Sequence, residues 1–164
     1  MTNENPATKM IIIYTDGSSR GNPGPGGYGV LLMSGTLKKE LSRGFRLTTN
    51  NRMELMAVIA GLNALKTNKL PVTIYSDSKY VVDAINKGWL QSWIKNNFKG
   101  GKKNPDLWKQ YYLLSKSFHI KMVWVKGHAD NPFNNRCDEL ATAAADGKNL
   151  LIDEGYEKST NTLL

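Results

Sequence analysis

Five acidic residues stand where a secondary-structure element starts or stops. Asp16 follows an apolar, β-branched run at 10–15, and Asp77 follows another at 72–76. Glu54 falls in the first turn of an apolar-periodic segment, 52–66, and Asp138 and Glu139 open an Ala-rich one, 136–146. In an α/β sheet, the carboxyl ends of parallel strands and the amino ends of the following helices share one edge. Asp16, Glu54, Asp77 and one of the Asp138/Glu139 pair are therefore expected on one patch. An Asp before Gly or Ser is also a common turn former, and an acid in a first helical turn is stabilised by the helix dipole. Four together are harder to explain that way, because clustered carboxylates raise each other's pKa. A cation relieves that repulsion, and hard oxygen ligands suit Mg²⁺ or Mn²⁺. Adjacent helical residues do not share a face. Asp138 lies nearer the helix start than Glu139, but position alone is a weak ground for choosing it.

The elements that must place these groups can be read along the chain. Residues 1–9 are polar and are expected to form a flexible N-terminus. Strands are predicted at 10–15, 28–33, 37–47, 72–76 and 119–125, the first central and the third near an edge. Helices are predicted at 52–66, 78–86, within 87–104, at 105–117 and at 136–146. Thr48, Thr49, Asn50 and Asn51 are capping residues before the first helix, and Pro105 suits a first helical turn. The glycine-rich stretch YTDGSSRGNPGPGGYG, Tyr14 to Gly29, reads as a loop between the first two strands. The element order β-β-β-α-β-α-α-α-β-α implies an α/β fold with a mixed five-stranded sheet and helices on its faces. One domain over 10–147 is expected, followed by a flexible C-terminal tail at 148–164.

Composition narrows the partners. The 164 residues carry 22 Lys and Arg against 14 Asp and Glu, a net charge of +8. That excess favours a polyanion, nucleic acid being the commonest. Two divalent ions roughly 4 Å apart can grip the attacking and leaving oxygens of a phosphodiester. A basic protein with a carboxylate edge thus points to phosphodiester hydrolysis. Cys137 is the only cysteine, which rules out an intramolecular disulfide and a multi-Cys zinc site. With no signal-peptide pattern and no stretch long enough to span a bilayer, a cytoplasmic protein without membrane contact is expected. Residues 84–105 hold no acid, but contain Lys87, Lys95, Lys99, Lys102 and Lys103 interleaved with Trp89, Trp93 and Phe98. This segment is either a solvated face over packed tryptophans or a positive groove for a nucleic-acid strand.

Four blocks, YTDGSSRGNPGPGGYG, TTNNRMELMA, IYSDSKYVVDAI and WVKGHADNPFNNRCDELATAAA, occur in this order. Together they resemble the signatures of type 1 ribonuclease H, over about residues 10–147. The resemblance implies a ribonuclease H-like fold and an endonuclease that cuts the RNA strand of RNA/DNA hybrids, leaving 5′-phosphate and 3′-hydroxyl ends. It assigns Asp16, Glu54, Asp77 and Asp138 as metal-binding carboxylates for two Mg²⁺ ions, with Mn²⁺ a possible substitute, and so selects Asp138 over Glu139. It matches His128 to a loop histidine that assists proton transfer or product release. It implies hybrid contacts by Asn22, Thr49, Asn50 and Asn51, and makes 84–105 a basic protrusion, with Trp89, Lys95 and Lys99 as binding residues. The protrusion is shorter here between Phe98 and Pro105 than in longer-handled members. On this reading the glycines let backbone approach the minor groove, where 2′-hydroxyls distinguish RNA. The expected form is the free-standing bacterial one, a monomer without an obligate protein partner. A non-catalytic binding module would lose carboxylates, and a DNA strand-transfer nuclease on the same scaffold would lack the TTNNRMEL block and the glycine stretch. All are present.

Overall fold

A computed structural model describes residues 10–127 and 130–161 of the chain. Five strands form one mixed sheet: β1 (Ile11–Ser19), β2 (Gly24–Ser34), β3 (Leu37–Thr48), β4 (Val72–Ser76) and β5 (Ile120–Trp124), in spatial order β3-β2-β1-β4-β5. The first three run antiparallel as a meander, while β1–β4 and β4–β5 are parallel. β1 is central and β3 is an edge, as expected. The helices are α1 (Asn50–Asn63), α2 (Lys79–Asn86), α3 (Trp89–Lys95), α4 (Pro105–Ser115), α5 (Pro132–Ala145) and α6 (Glu154–Asn161).

The period-two alternation of β1 divides the core. Ile11 and Ile13 point into a large cluster with Met53, Leu55, Val58 and Leu62 of α1, Val81 of α2 and Trp108 of α4. Ile12 and Tyr14 point the other way, toward Leu31, Cys137 and Phe133 beneath α5. Tyr14 stacks on Tyr75 with ring centroids 4.6 Å apart. α1 to α4 therefore cover one face and α5 covers the other. By the same alternation Asp16 belongs to the α5 face and Gly17 to the α1 face.

The glycine stretch is not a loop. β1 and β2 pair as far as Ser19 opposite Gly26, and only residues 20–23 turn. The glycines admit helices close to the sheet. A Cβ on Gly27 would meet backbone of Ala141 and Ala145, and one on Gly29 would strike the Cys137 carbonyl and sit 2.7 Å from Leu140 Cβ. A Cβ on Gly44 of β3 would strike the Ala144 carbonyl. These three positions form a shallow bed for the Ala-rich face of α5. Gly17 does the same for α1, where a Cβ would collide with the backbone of Met53 and Glu54. At these four positions the close approach is made by the protein's own helices.

Residues 148–161 do not form a loose tail, and the rest of the expected tail lies outside the described residues. Leu151 bridges in parallel to Phe45 on the free edge of β3, with Arg46 N donating to Leu151 O at 2.8 Å and Leu151 N to Gly44 O at 2.9 Å. Asp153 is buried, and α6 follows it. Its carboxylate accepts from Arg52 Nε and Thr48 Oγ1, both at 2.7 Å, and from Tyr156 N at 3.3 Å. Arg52 Nη2 also donates to Asp106 at the start of α4, at 2.7 Å. One guanidinium thus ties together the first turn of α1, the start of α4 and the C-terminal segment. The proposed N-terminal segment 1–9 lies outside the described residues.

Candidate active site

The strand register brings the first two carboxylates together. β1 and β4 are parallel, with Thr15 opposite Ser76, so Asp16, which lies inside β1 rather than at its end, and Asp77, just past the end of β4, stand side by side. Glu54 arrives from α1. Thr49 caps that helix by accepting from Arg52 N at 3.3 Å, which starts it at Asn50 and puts Glu54 in the second turn rather than the first. The missing side chain at Gly17 lets this turn settle against β1. Gly17 N donates to Asp16 Oδ1 at 2.9 Å. Oxygens of Asp16, Glu54 and Asp77 all lie within 4.8 Å of one another.

Asp138 comes from the other face. α5 begins four residues earlier than expected, because Asn131 Oδ1 accepts from both Phe133 N and Asn134 N at 3.1 Å and Pro132 occupies the first turn. Asp138 then lines a cleft of about 310 Å³ with Asp16, Glu54 and Asp77, alongside Ser18, Asn50 and Asn134. Glu139 turns away, exposed, and accepts from Arg136 Nη1 at 3.0 Å. No Lys or Arg is among the cleft's lining residues.

Such crowding has an electrostatic consequence. Asp16 is 4% exposed and Glu54 is 9% exposed. Burial, then the negative charge of Asp77, pushes the Asp16 carboxyl up to about 8. Burial and the Asp16 charge hold Glu54 well above the usual carboxylate range. Glu54 Oε2 is buried without a hydrogen-bond partner among the described residues. A buried acceptor without a partner, inside a cluster of acids whose ionised forms repel one another, calls for a cation, and the donor set is all hard oxygen. These residues fit a divalent metal.

Of the remaining expected residues, Asn50 lines the cleft. Asn22 Oδ1 accepts from Asn50 N at 3.1 Å, so the β1–β2 turn and the start of α1 form one exposed ridge that includes Asn51. Trp89 is 44% exposed, with Lys87 Nζ 5.3 Å from its ring centroid. Trp93 instead packs on Trp108, at 5.8 Å between centroids. The two tryptophans, one helical turn apart, thus split between surface and interior. Lys95 and Lys99 are exposed on the same protrusion, whose buried anchor is Phe98. His128 lies outside the described residues. Sequence reasoning missed Asn134, which shares the cleft and whose Oδ1 is buried and unpartnered.

Sheet order and acidic cleft together define a class: an α/β fold of the ribonuclease H type, with the carboxylate site of a metal-dependent nuclease. The RNase H family model matches residues 8–146, and the chain belongs to that family. It is 55% identical over 152 residues to a ribonuclease H of Syntrophus aciditrophicus (strain SB), covering 90% of this chain and 87% of the relative. It is 53% identical over 156 residues to one from Desulforamulus reducens (strain ATCC BAA-1160 / DSM 100696 / MI-1), covering 93% and 98%. Among solved structures, LC9-RNase H1, a type 1 RNase H with the type 2 active-site motif, superposes with a TM-score of 0.78 at 30% identity, covering 93% of this chain and 81% of that one. LC11-RNase H1 in complex with RNA/DNA hybrid gives 0.65 at 26% identity, covering 83% and 96%.

Proposed function

We propose that this ribonuclease H hydrolyses the RNA strand of RNA/DNA hybrids internally, with Asp16, Glu54, Asp77 and Asp138 holding two Mg²⁺ ions. The observation that carries this is the convergence of Asp16, Glu54 and Asp77 around an orphaned Glu54 oxygen. Divalent metal bound there lowers the pKa of the attacking water and stabilises the leaving 3′-oxygen, leaving 5′-phosphate and 3′-hydroxyl ends. Asp16, buried beside Glu54 and Asp77, would hold the metal together with them. Glu54 and Asp77 fix one side of the cleft and Asp138 the other. Mn²⁺, also a hard cation, substitutes for Mg²⁺ in this reading.

The chain's own surface supplies substrate binding. Asn22, Asn50 and Asn51 offer amides that both donate and accept, suited to 2′-hydroxyls in the minor groove. Thr49 serves as cap and phosphate contact together. Trp89, Lys95 and Lys99 meet the DNA strand on the protrusion. His128 assists proton transfer or product release. LC11-RNase H1, structurally similar along most of this chain, is bound to such a hybrid, which supports the substrate assignment. The enzyme works as a cytoplasmic monomer without an obligate protein partner. Among the described residues, no helix is long and apolar enough to cross a membrane.

The test offers one labelled RNA strand alone, in RNA/RNA duplex and in RNA/DNA hybrid, each with Mg²⁺ and with EDTA. Cutting confined to the hybrid with metal is expected. Binding without cutting, in both Mg²⁺ and Mn²⁺, would make the chain a binding module instead.

A further inference from the structure

We propose that Asn134 is a fifth oxygen donor of the carboxylate cleft, a neutral ligand for the divalent cation. This deepens the metal-site reading above and rests on it. Asn134 lies on α5 four residues before Asp138, so both occupy one helical face. It is 2% exposed and lines the cleft with Asp16, Glu54 and Asp77. Its backbone N–H is used, donating to Asn131 Oδ1 at 3.1 Å. Its side-chain oxygen is not: Oδ1 is buried with no hydrogen-bond partner among the described residues.

A buried amide oxygen left unpaired is destabilising, so its retention wants a reason. Only two buried side-chain oxygens are orphaned among the described residues, Glu54 Oε2 and Asn134 Oδ1, and both belong to this cleft. Acceptors cannot satisfy one another. A shared cation satisfies both. The choice of amide over carboxylate follows from the charge already present. Four acids already line the cleft, and a fifth carboxylate would add to their mutual repulsion when no metal is bound. An amide adds a hard oxygen without adding charge.

The experiment titrates Mg²⁺ into the metal-free full chain by calorimetry, without substrate, and records thermal unfolding in EDTA. Wild type is compared with Asn134→Ala and Asn134→Asp. Asn134→Ala is expected to weaken Mg²⁺ binding about 10-fold, with the EDTA melting temperature held. Asn134→Asp, which keeps an oxygen, is expected to recover binding. Unchanged Mg²⁺ affinity in Asn134→Ala overturns the proposal and leaves the residue a packing element. If Asn134→Ala loses both stability and affinity, Asn134→Asp decides: recovered binding supports the donor role and its absence overturns it. Failure of the wild type to take up Mg²⁺ is seen before any substitution and overturns the four-carboxylate reading with this one.

Discussion

Arg52 and Asp153, 101 residues apart, meet in a buried two-point ion pair, with Nε–Oδ2 at 2.7 Å and Nη2–Oδ1 at 2.9 Å. The pair fixes the turn of α1 that leads to Glu54. Asp153→Ala leaves a buried guanidinium with only Asp106 and Asn104 as side-chain partners. It is expected to cost about 3 kcal/mol, read as a lowered urea midpoint. A loss below about 1 kcal/mol, the scale of an exposed pair, would mean the C-terminal segment does not brace α1.

The carboxylate cluster sets a pH dependence of unusual sign. Asp16 has an ordinary carboxylate pKa when unfolded and one near 8 when folded, so the folded state holds the proton more tightly. Its contribution to stability is full below the unfolded value, near 4, and is lost as pH rises through about 8. Glu54 acts in the same direction. Bound metal replaces those protons. The melting temperature gained on adding Mg²⁺ is therefore expected to be small at acidic pH and to grow through neutral to alkaline pH. An equal gain at both ends would sink the assignment.

Asp16→Asn removes the buried carboxyl whose ionisation this cluster opposes. It is expected to abolish hydrolysis, to leave hybrid binding intact and to raise the melting temperature in EDTA near neutral pH. Near-normal turnover in this variant would exclude Asp16 as a metal ligand.

Gly29 lies opposite Asp16 in the sheet and directly under Cys137, the neighbour of Asp138. Gly29→Ala drives a methyl into the α5 backbone and is expected to cost about 1–3 kcal/mol and to lower kcat by shifting Asp138. Gly35→Asn is the control. That turn residue has a φ of 59° and open space around it, so Asn is expected to be tolerated. Equal losses in the two variants would refute the bed-for-a-helix account.

Paired neutralisation of Lys95 and Lys99 by Gln is expected to flatten the salt dependence of hybrid binding by about 0.9 log units per lost phosphate contact, with kcat held. Trp89→Ala is expected to raise KM with little change in kcat. Binding assays across a KCl series decide it: an unchanged slope would leave the lysines as a solvated face.

Much of this was legible in the chain. The apolar run at 72–76 is β4 to the residue, because a short buried strand between Pro71 and Asp77 has sharp ends. The rule for parallel strands puts Asp16, Glu54, Asp77 and one of the Asp138/Glu139 pair on one edge, and the family resemblance selects Asp138 of the two. The start of α5 was missed although Asn131-Pro132 is a cap followed by a first-turn proline, since the apolar pattern begins later. α6 was missed for a deeper reason. Its sequence, EGYEKSTN, carries no apolar stripe, and it is held by Asp153 and by the Arg46–Glu157 pair at 2.8 Å, contacts that exist only once β3 is built. The sequence reads the glycines as room for a nucleic acid, and at Gly17, Gly27, Gly29 and Gly44 that room is taken by α1 and α5. Whether a glycine meets solvent, substrate or a helix depends on what is packed above it.

The parallel pairing of Thr15 with Ser76 also acts as a test of correct assembly. Side chains alternate faces along a strand, so sliding β1 by one residue against β4 would send Asp16 to the face opposite Asp77 and break up the cluster. Only a slip by an even number of residues keeps the two acids on one face, and it moves them apart along the strand. A population of folded chains with a mis-set central strand would be catalytically silent rather than partly active, so the fraction of active sites in a preparation reports the fraction with the right alignment.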